Sequence, residues 1–301
     1  MRGLMCFNRR GLTMLPLILS LIIISLMKIA AAETTAARTD SLINNLTARD
    51  KDYTVRAQAA LALGWTGDKK AVRPLLEILE KEKPGTDQDP GSAIMEMRRF
   101  VIWALGKIGD PEAVPPLIET LDGSDASQEF GQTIGGPGEV SSTWALSIEN
   151  FKKPEDLRDR SRIYCGVALA LGNIGKPAVQ PLLSVLKDKR ANIRKGAVRA
   201  LGYIGDKKAI GPLLKALFDK DPGIRCESVI ALGMINDKKA VKPLIKMLRD
   251  SSGDVRCIAA KALGRIHDRR AIEPLKKVLK DSDPSVREAA AEAVKNIESK
   301  E

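Results

Sequence analysis

Residues 201–217 read LGYIGDKKAIGPLLKAL. Nearly the same text returns as LGMINDKKAVKPLIKML at 232–248 and as LGRIHDRRAIEPLKKVL at 263–279, which sets a period of 31 residues. Within each copy, apolar residues recur at helical spacing on both sides of a short polar turn. A fixed period of this length is typical of a solenoid of stacked helix pairs. The sequence therefore predicts an all-α superhelix that presents an extended surface.

The same unit extends outward from this stretch to about six helix pairs with a half-unit at each end. We expect a polar lead and a capping helix at 33–51, repeats 1 and 2 at 52–121, an inserted loop at 122–160, repeats 3 to 6 at 161–281, and a capping helix at 282–301. The insert is rich in Gly, Ser and acidic residues. Loops of this length are usually functional or disordered.

The fixed letters of each unit have a physical explanation. The Gly-Asp pair of the turn ends the first helix with a left-handed glycine and caps the next turn with an aspartate. A second glycine, Gly202 in this copy, lies in the last turn of the first helix, where it costs about 1 kcal/mol of helix propensity. We expect close packing between first helices to require it. In the first unit, Val55, Ala59, Ala60 and Leu63 are predicted to form the buried face.

A leading segment precedes the repeats. Three arginines come before an apolar run from Leu12 to Met27, and three alanines follow at 30–32. This order is typical of a secretory signal peptide over residues 1–32. The apolar run is also long enough to remain as an N-terminal membrane anchor of about 20 residues, here 12–32. We expect the protein to be exported to the periplasm or cell envelope, with the anchor as an alternative to cleavage.

The positive charge is concentrated in the C-terminal part of the chain. The formal net charge is +11; residues 187–301 hold 27 Lys and Arg against 16 Asp and Glu, whereas residues 1–186 hold 22 of each. A basic surface attracts an acidic partner, so the binding face is expected among the later repeats.

Three cysteines, Cys165, Cys226 and Cys257, occupy one position of the repeat. Equivalent positions in neighbouring helices lie about 10 Å apart, whereas a disulfide requires a Cα separation below about 7 Å. We therefore predict free thiols, in a column that faces solvent or a partner. No cysteine spacing matches a zinc site.

The repeated text V-R-x-x-A-A-x-A-L-G-x-I-G-D-x-x-A-V-x-P-L-L-x-x-L resembles the HEAT-like repeat of the phycobilisome (PBS) lyase type, over about residues 50–298. The resemblance implies a HEAT/armadillo-like solenoid whose second helices line the concave side. It also includes two enzyme groups, the bilin lyase subunits and the deoxyhypusine hydroxylases. The hydroxylases hold two irons with several His-Glu pairs, but His267 is the single histidine of this chain. We expect no metal and no cofactor, and the export segment argues against a bilin lyase role.

One arginine per unit forms a second column, which we interpret as a structural ladder to carboxylates or carbonyls of an adjacent turn. Its members are Arg56, Arg98, Arg194, Arg225, Arg256 and Arg287, and Tyr164 replaces arginine in the third unit. Trp65 lies in a variable position after the first glycine of its unit and is expected to pack at the edge of the stack.

Two columns on the second helices change from acidic to basic along the array. The first column reads Glu77, Glu119, Ser184, Lys215, Lys246, Lys277, and the second reads Glu80, Asp122, Lys187, Phe218, Arg249, Lys280. The candidate partner-binding residues are Lys215, Lys242, Lys246, Arg249, Lys277 and Lys280. The alternative is that these lysines only solvate exposed helices.

The hypothesis is a non-catalytic scaffold that acts as a monomer and holds a protein or an acidic polymer on its concave face. The two alternatives are an enzyme-associated PBS-lyase-like protein, with oxidoreductase or lyase chemistry, and a nucleic-acid binder. No catalytic residue can be named, because the sequence has no G-x-S-x-G motif, no Cys-His pair and no phosphate-binding loop. The acidic N-terminal half and the export segment argue against nucleic acid.

Overall fold

A computed structural model of the chain describes residues 36–82, 92–122 and 162–299. These ranges contain fourteen α-helices and no β-strand, so the predicted all-α solenoid of helix pairs is confirmed. None of the helices in these ranges is long and apolar enough to cross a membrane. The predicted signal or anchor segment, and all of the predicted insert apart from residue 122, lie outside the described residues.

A lone helix, α1, spans residues 36–47 and precedes six helix pairs. The first, or A, helices of the pairs are α2 (Tyr53–Thr66), α4 (Ser92–Ile108), α6 (Arg162–Ile174), α8 (Ala191–Ile204), α10 (Pro222–Ile235) and α12 (Gly253–Ile266). The second, or B, helices are α3 (Val72–Lys81), α5 (Val114–Thr120), α7 (Lys176–Ser184), α9 (Ile210–Ala216), α11 (Val241–Met247) and α13 (Ile272–Lys277). An A helix without a B helix, α14 (Pro284–Glu298), ends the described array.

The turn between A and B helices follows the predicted chemistry. In the fourth unit, Gly205 has φ 71° and Asp206 accepts a hydrogen bond of 2.8 Å from the backbone N–H of Lys208. A short 3-10 turn follows before the B helix begins. In the fifth and sixth units, Asn236 and His267 take the left-handed position, with φ of 56° and 54°. The single histidine is therefore a helix-terminating residue of the repeat.

The A helices form one continuous layer, in which each packs on the A helix of the next unit. Each B helix packs against the A helix of the unit that follows it. A Cβ added at Gly202 would lie 2.9 Å from the Cα of Ala231, and one added at Gly106 would lie 2.6 Å from the Cα of Ala170. Real Cβ atoms do not approach a backbone this closely, so the predicted requirement for glycine at the A-helix contacts is confirmed.

The buried face of the first A helix differs from the prediction at one residue. Ala59, Ala60 and Leu63 are buried, but Val55 is 40% exposed. Arg56 takes its place and is only 3% exposed. The prediction was wrong because it ranked residues by hydrophobicity, whereas the arginine side chain turns inward to reach polar partners in adjacent turns.

Candidate interaction surface

The arginine column makes repeated contacts with the turns that join a B helix to the next A helix. Arg225 donates from Nε and Nη2 to the carboxylate of Asp250, at 2.9 and 2.8 Å. Its Nη1 donates to the carbonyl of Asp219, at 3.1 Å. Arg194 repeats both contacts one unit earlier, and Arg256 repeats them one unit later. Each arginine thus ties the turn before its helix to the turn that follows its own unit.

The two ends of the column vary this pattern. Arg56 pairs with Glu82 and donates to the carbonyl of Leu46 at 2.8 Å, which attaches α1 to the stack. Arg98 donates to the carbonyls of Leu79 and Glu82, at 2.8 and 2.7 Å. Arg287 donates to the carbonyls of Asp281 and Ser282, at 2.7 and 3.0 Å.

The arginines lower the pKa of the carboxylates that they hold. The hydrogen bond from Arg256 lowers the pKa of Asp281 below its ordinary value. Burial alone would raise the pKa of Asp219 and Asp250, but the hydrogen bonds that they accept outweigh burial and lower it. These carboxylates therefore stay charged well into the acidic range, and the turns remain tied at neutral pH.

The six candidate partner-binding residues are all exposed, and we call them the basic surface: Lys215, Lys242, Lys246, Arg249, Lys277 and Lys280. The first column keeps Lys215, Lys246 and Lys277 on the last two turns of α9, α11 and α13. The prediction placed the second column on the B helices as well, which holds for Glu80 in α3 but is wrong for Arg249 and Lys280. These helices end at Ala216, Met247 and Lys277, so Arg249 and Lys280 lie in the turn beyond.

In these units an aspartate follows the second-column residue and joins the ladder. Asp250 comes directly after Arg249, and its backbone N–H donates to the carbonyl of Met247 at 3.1 Å while its carboxylate accepts from Arg225. The same arrangement recurs at Asp219, after Phe218. The ladder thereby sets the second-column residues at an equivalent place in each unit.

No residue of the basic surface forms an ion pair with another residue in the described ranges. Both acidic members of the first column are paired, Glu77 with Lys81 at 2.8 Å and Glu119 with Arg190 at 3.1 Å. Asp122 also lies 3.5 Å from Arg190. Within the described ranges, the first column therefore changes from paired acids to unpaired cations along the array.

The cysteine column does not face solvent, which corrects the prediction for it. Cys257 is buried and Cys226 is partly buried, and both are free thiols. The next A helix covers this position, and the Sγ of Cys257 lies 3.5 Å from the carbonyl of Ser285. Burial raises the pKa of Cys226 to about 12 and that of Cys257 in the same direction. The side chain of Cys165 lies outside the described ones.

The described ranges contain no cluster of His, Cys, Asp and Glu that could hold a metal ion. Nδ1 of His267 lies 2.7 Å from the carbonyl of Arg265 in its own turn. A shallow groove at the C-terminal end is lined mainly by Leu279, Ala291 and Val294.

An aromatic cluster lies in the first two units, and the sequence predicted only the position of Trp65 within it. Trp65 is 60% exposed and packs edge-on against Trp103, with ring centroids 5.1 Å apart. The ammonium group of Lys107 lies 5.4 Å from the centre of the Trp65 ring and 5.8 Å from that of Trp103. Trp65 thus packs at the edge of the stack. The first two units are 42 residues apart instead of 31, so the period of the repeat does not align Trp103 and Lys107 with Trp65.

Two family models match the repeats. The model described as HEAT repeats matches residues 179–256 and 241–301. The model described as PBS lyase HEAT-like repeat matches residues 55–81, 97–123 and 163–188. A search of curated protein sequences finds no match.

Several solved structures are similar in fold. Human deoxyhypusine hydroxylase is 18% identical, with a TM-score of 0.37 over 89% of this chain and 99% of the other. The CpcE and CpcF complex of phycocyanin lyase from Nostoc is 22% identical, with a TM-score of 0.33 over 87% and 83%. A designed armadillo repeat protein is 16% identical, with a TM-score of 0.34 over 85% and 98%. The repeat matches identify the chain as a HEAT-repeat protein with units of the PBS lyase HEAT-like type.

Proposed function

We propose that this chain is a non-catalytic scaffold that acts as a monomer and holds an acidic protein segment on its basic surface. HEAT-repeat solenoids generally bind protein partners on extended faces. The observation that carries the proposal is the set of six exposed cations without an acidic partner in the described ranges. Five of the six recur at equivalent positions of successive units, so one extended acidic partner can pair with several of them at once.

Several features support a protein partner that spans successive units. Lys215, Lys246 and Lys277 recur every 31 residues and lie on successive B helices. Neighbouring helices pack about 8–10 Å apart, so an extended acidic segment can approach all three at once. Charges arranged along one face focus the potential and speed association with an oppositely charged partner. The resemblance to HEAT-like stacks supports placing this face on the concave side.

We also propose that the protein is exported. The order of arginines, apolar run and small residues over 1–32 supports a signal peptide, and an uncleaved segment at 12–32 would anchor the repeats at a membrane. N-terminal sequencing of protein from the envelope fraction tests this. A start near residue 33 supports cleavage, an intact N-terminus in that fraction supports the anchor, and recovery only from the cytoplasm contradicts export.

The binding proposal is tested with a fluorescent, glutamate-rich peptide of about 20 residues, titrated with full-length protein at two salt concentrations. Reversal of the three column lysines in K215E/K246E/K277E should weaken binding at least tenfold, because an exposed ion pair contributes about 0.2–1 kcal/mol and reversal replaces attraction with repulsion. Binding of the wild type should also weaken as salt rises.

A matched variant controls for net charge. Lys70, Lys208 and Lys239 are exposed, lie in the turns between A and B helices, and form no ion pair in the described ranges. K70E/K208E/K239E changes the net charge by the same amount and should alter affinity by less than about threefold at 0.15 M salt, where screening acts over about 8 Å. Equal losses in both variants, or tighter binding of a DNA duplex than of the peptide, would contradict the proposal.

A further inference from the structure

Phe218 interrupts the second basic column. Its equivalents in the neighbouring units are Lys187, Arg249 and Lys280. Phe218 is 66% exposed and does not belong to the hydrophobic core. Its backbone N–H donates to the carbonyl of Lys215, as that of Arg249 donates to the carbonyl of Lys246. The turn is therefore the same in both units, and only the exposed side chain differs.

The neighbouring positions of both columns are cationic. Lys215 precedes Phe218 by three residues, and exposed Lys187 and Arg249 hold the same place in the flanking units. The nearest carboxylate in sequence, Asp219, does not compensate them, because Arg194 holds it at 3.0 and 3.2 Å. Arg194 therefore neutralises Asp219, and the lysines and Arg249 at the positions around Phe218 have no acidic partner in the described ranges.

Isolated exposed apolar residues are common and need no explanation on their own. Here, however, the ring lies within a surface of unpaired cations, which attracts an acidic partner. Protein interfaces typically combine a desolvated aromatic anchor with a charged rim. Lysine and arginine provide such a rim around Phe218, and their chains can cover a partner's apolar side chain while their charges meet its carboxylates.

We propose that Phe218 is the apolar anchor of the basic surface, and that the partner is an acidic protein segment with one apolar side chain flanked by carboxylates. This inference rests on the proposed function and refines it. Phe218 then selects acidic segments that carry an apolar side chain, whereas the lysines and Arg249 attract any acidic segment. A purely acidic polymer would then bind, but less tightly than an acidic segment with a central apolar residue.

Two 15-residue fluorescent peptides of identical charge test the inference. Both carry aspartates on either side of a central residue, which is Leu in one peptide and Ser in the other. Wild-type protein should bind the Leu peptide about fivefold more tightly, the effect of partly burying one aliphatic side chain. Phe218→Lys completes the basic column. It should abolish this preference and bind the Ser peptide about threefold more tightly than the wild type does.

Val55→Lys is the matched control, since it places the same added charge on another exposed apolar residue, far along the chain in the first unit. It should keep the fivefold preference. Circular dichroism should show equal helix content for both variants, because neither residue is buried. Equal affinity of the wild type for the two peptides, with K215E/K246E/K277E still weakening both, would overturn the anchor and leave the acidic-partner proposal standing. Failure of both peptides to bind would overturn both proposals.

An oligonucleotide arm separates a protein partner from nucleic acid, because bases also stack on exposed aromatic rings. Oligo-dT of 15 nucleotides should bind the wild type more weakly than the Leu peptide, and Phe218→Lys should not weaken it. If oligo-dT binds more tightly than the Leu peptide and loses affinity in Phe218→Lys, the ring stacks bases and the proposed peptide anchor is wrong.

Discussion

Replacement of Gly202 by alanine tests the close packing that spaces the repeats. A Cβ at this position would lie 2.9 Å from both Cα and Cβ of Ala231 on the next A helix. Neither atom belongs to a flexible side chain, so α10 must move as a helix. Overpacking of this kind costs about 1–3 kcal/mol, while the better helix propensity of alanine returns about 1 kcal/mol. Gly202→Ala should therefore lose up to about 2 kcal/mol of unfolding free energy.

Gly211 provides the control, because a Cβ there meets nothing within 4 Å. Gly211→Ala should gain about 0.5–1 kcal/mol, since only the propensity change remains. Urea denaturation followed by circular dichroism at 222 nm measures both variants, and the difference between them isolates the steric effect. If Gly202→Ala is as stable as Gly211→Ala, the A helices do not approach as closely as described, and the spacing of the basic columns must be reconsidered.

Three further predictions concern the ladder and the thiols. Arg225→Ala should lose about 2–3 kcal/mol of unfolding free energy in urea denaturation, because it leaves the largely buried carboxylate of Asp250 without its donor. Arg287→Ala removes only carbonyl contacts among the described residues and should lose about 1 kcal/mol. Equal losses in the two variants would contradict the ladder. The pKa of Asp250 is lower in the folded state, so its contribution is present above about pH 4 and is lost as pH falls through the folded pKa; Asp250→Asn should make acid unfolding less steep, and an unchanged pH profile would contradict this. Cys226 and Cys257 should react with a thiol reagent at pH 8 only when the protein unfolds, as mapped by mass spectrometry, because burial raises their pKa; rapid labelling of the native protein would contradict their burial.

Much of the fold could be predicted because the same local sequence pattern recurs in several units. The 31-residue period, the left-handed residue before each aspartate and the glycine of the A-helix contact all follow from backbone sterics, which depend on few neighbours. Periodicity also located the arginine column. The carboxylates that it contacts lie 25 residues further along, at Asp219, Asp250 and Asp281. They recur with the same period.

Side-chain exposure at the contact between A helices could not be predicted in the same way. A polar position such as that of Cys257 faces the next helix, and only the helix orientation shows that it is covered. Val55 is exposed and Arg56 is buried, because the guanidinium finds partners in adjacent turns. Each of these features arises from contacts between units.

The central claim is that an acidic partner binds along the B helices, and carbodiimide crosslinking tests it most directly. This reagent joins lysine amines to carboxylates that touch them, and mass spectrometry identifies the joined residues. With the acidic Leu peptide bound, crosslinks should concentrate on Lys215, Lys246 and Lys277. Crosslinks spread evenly over exposed lysines, or gathered at Lys208 and Lys239 in the turns between helices, would contradict binding on this face.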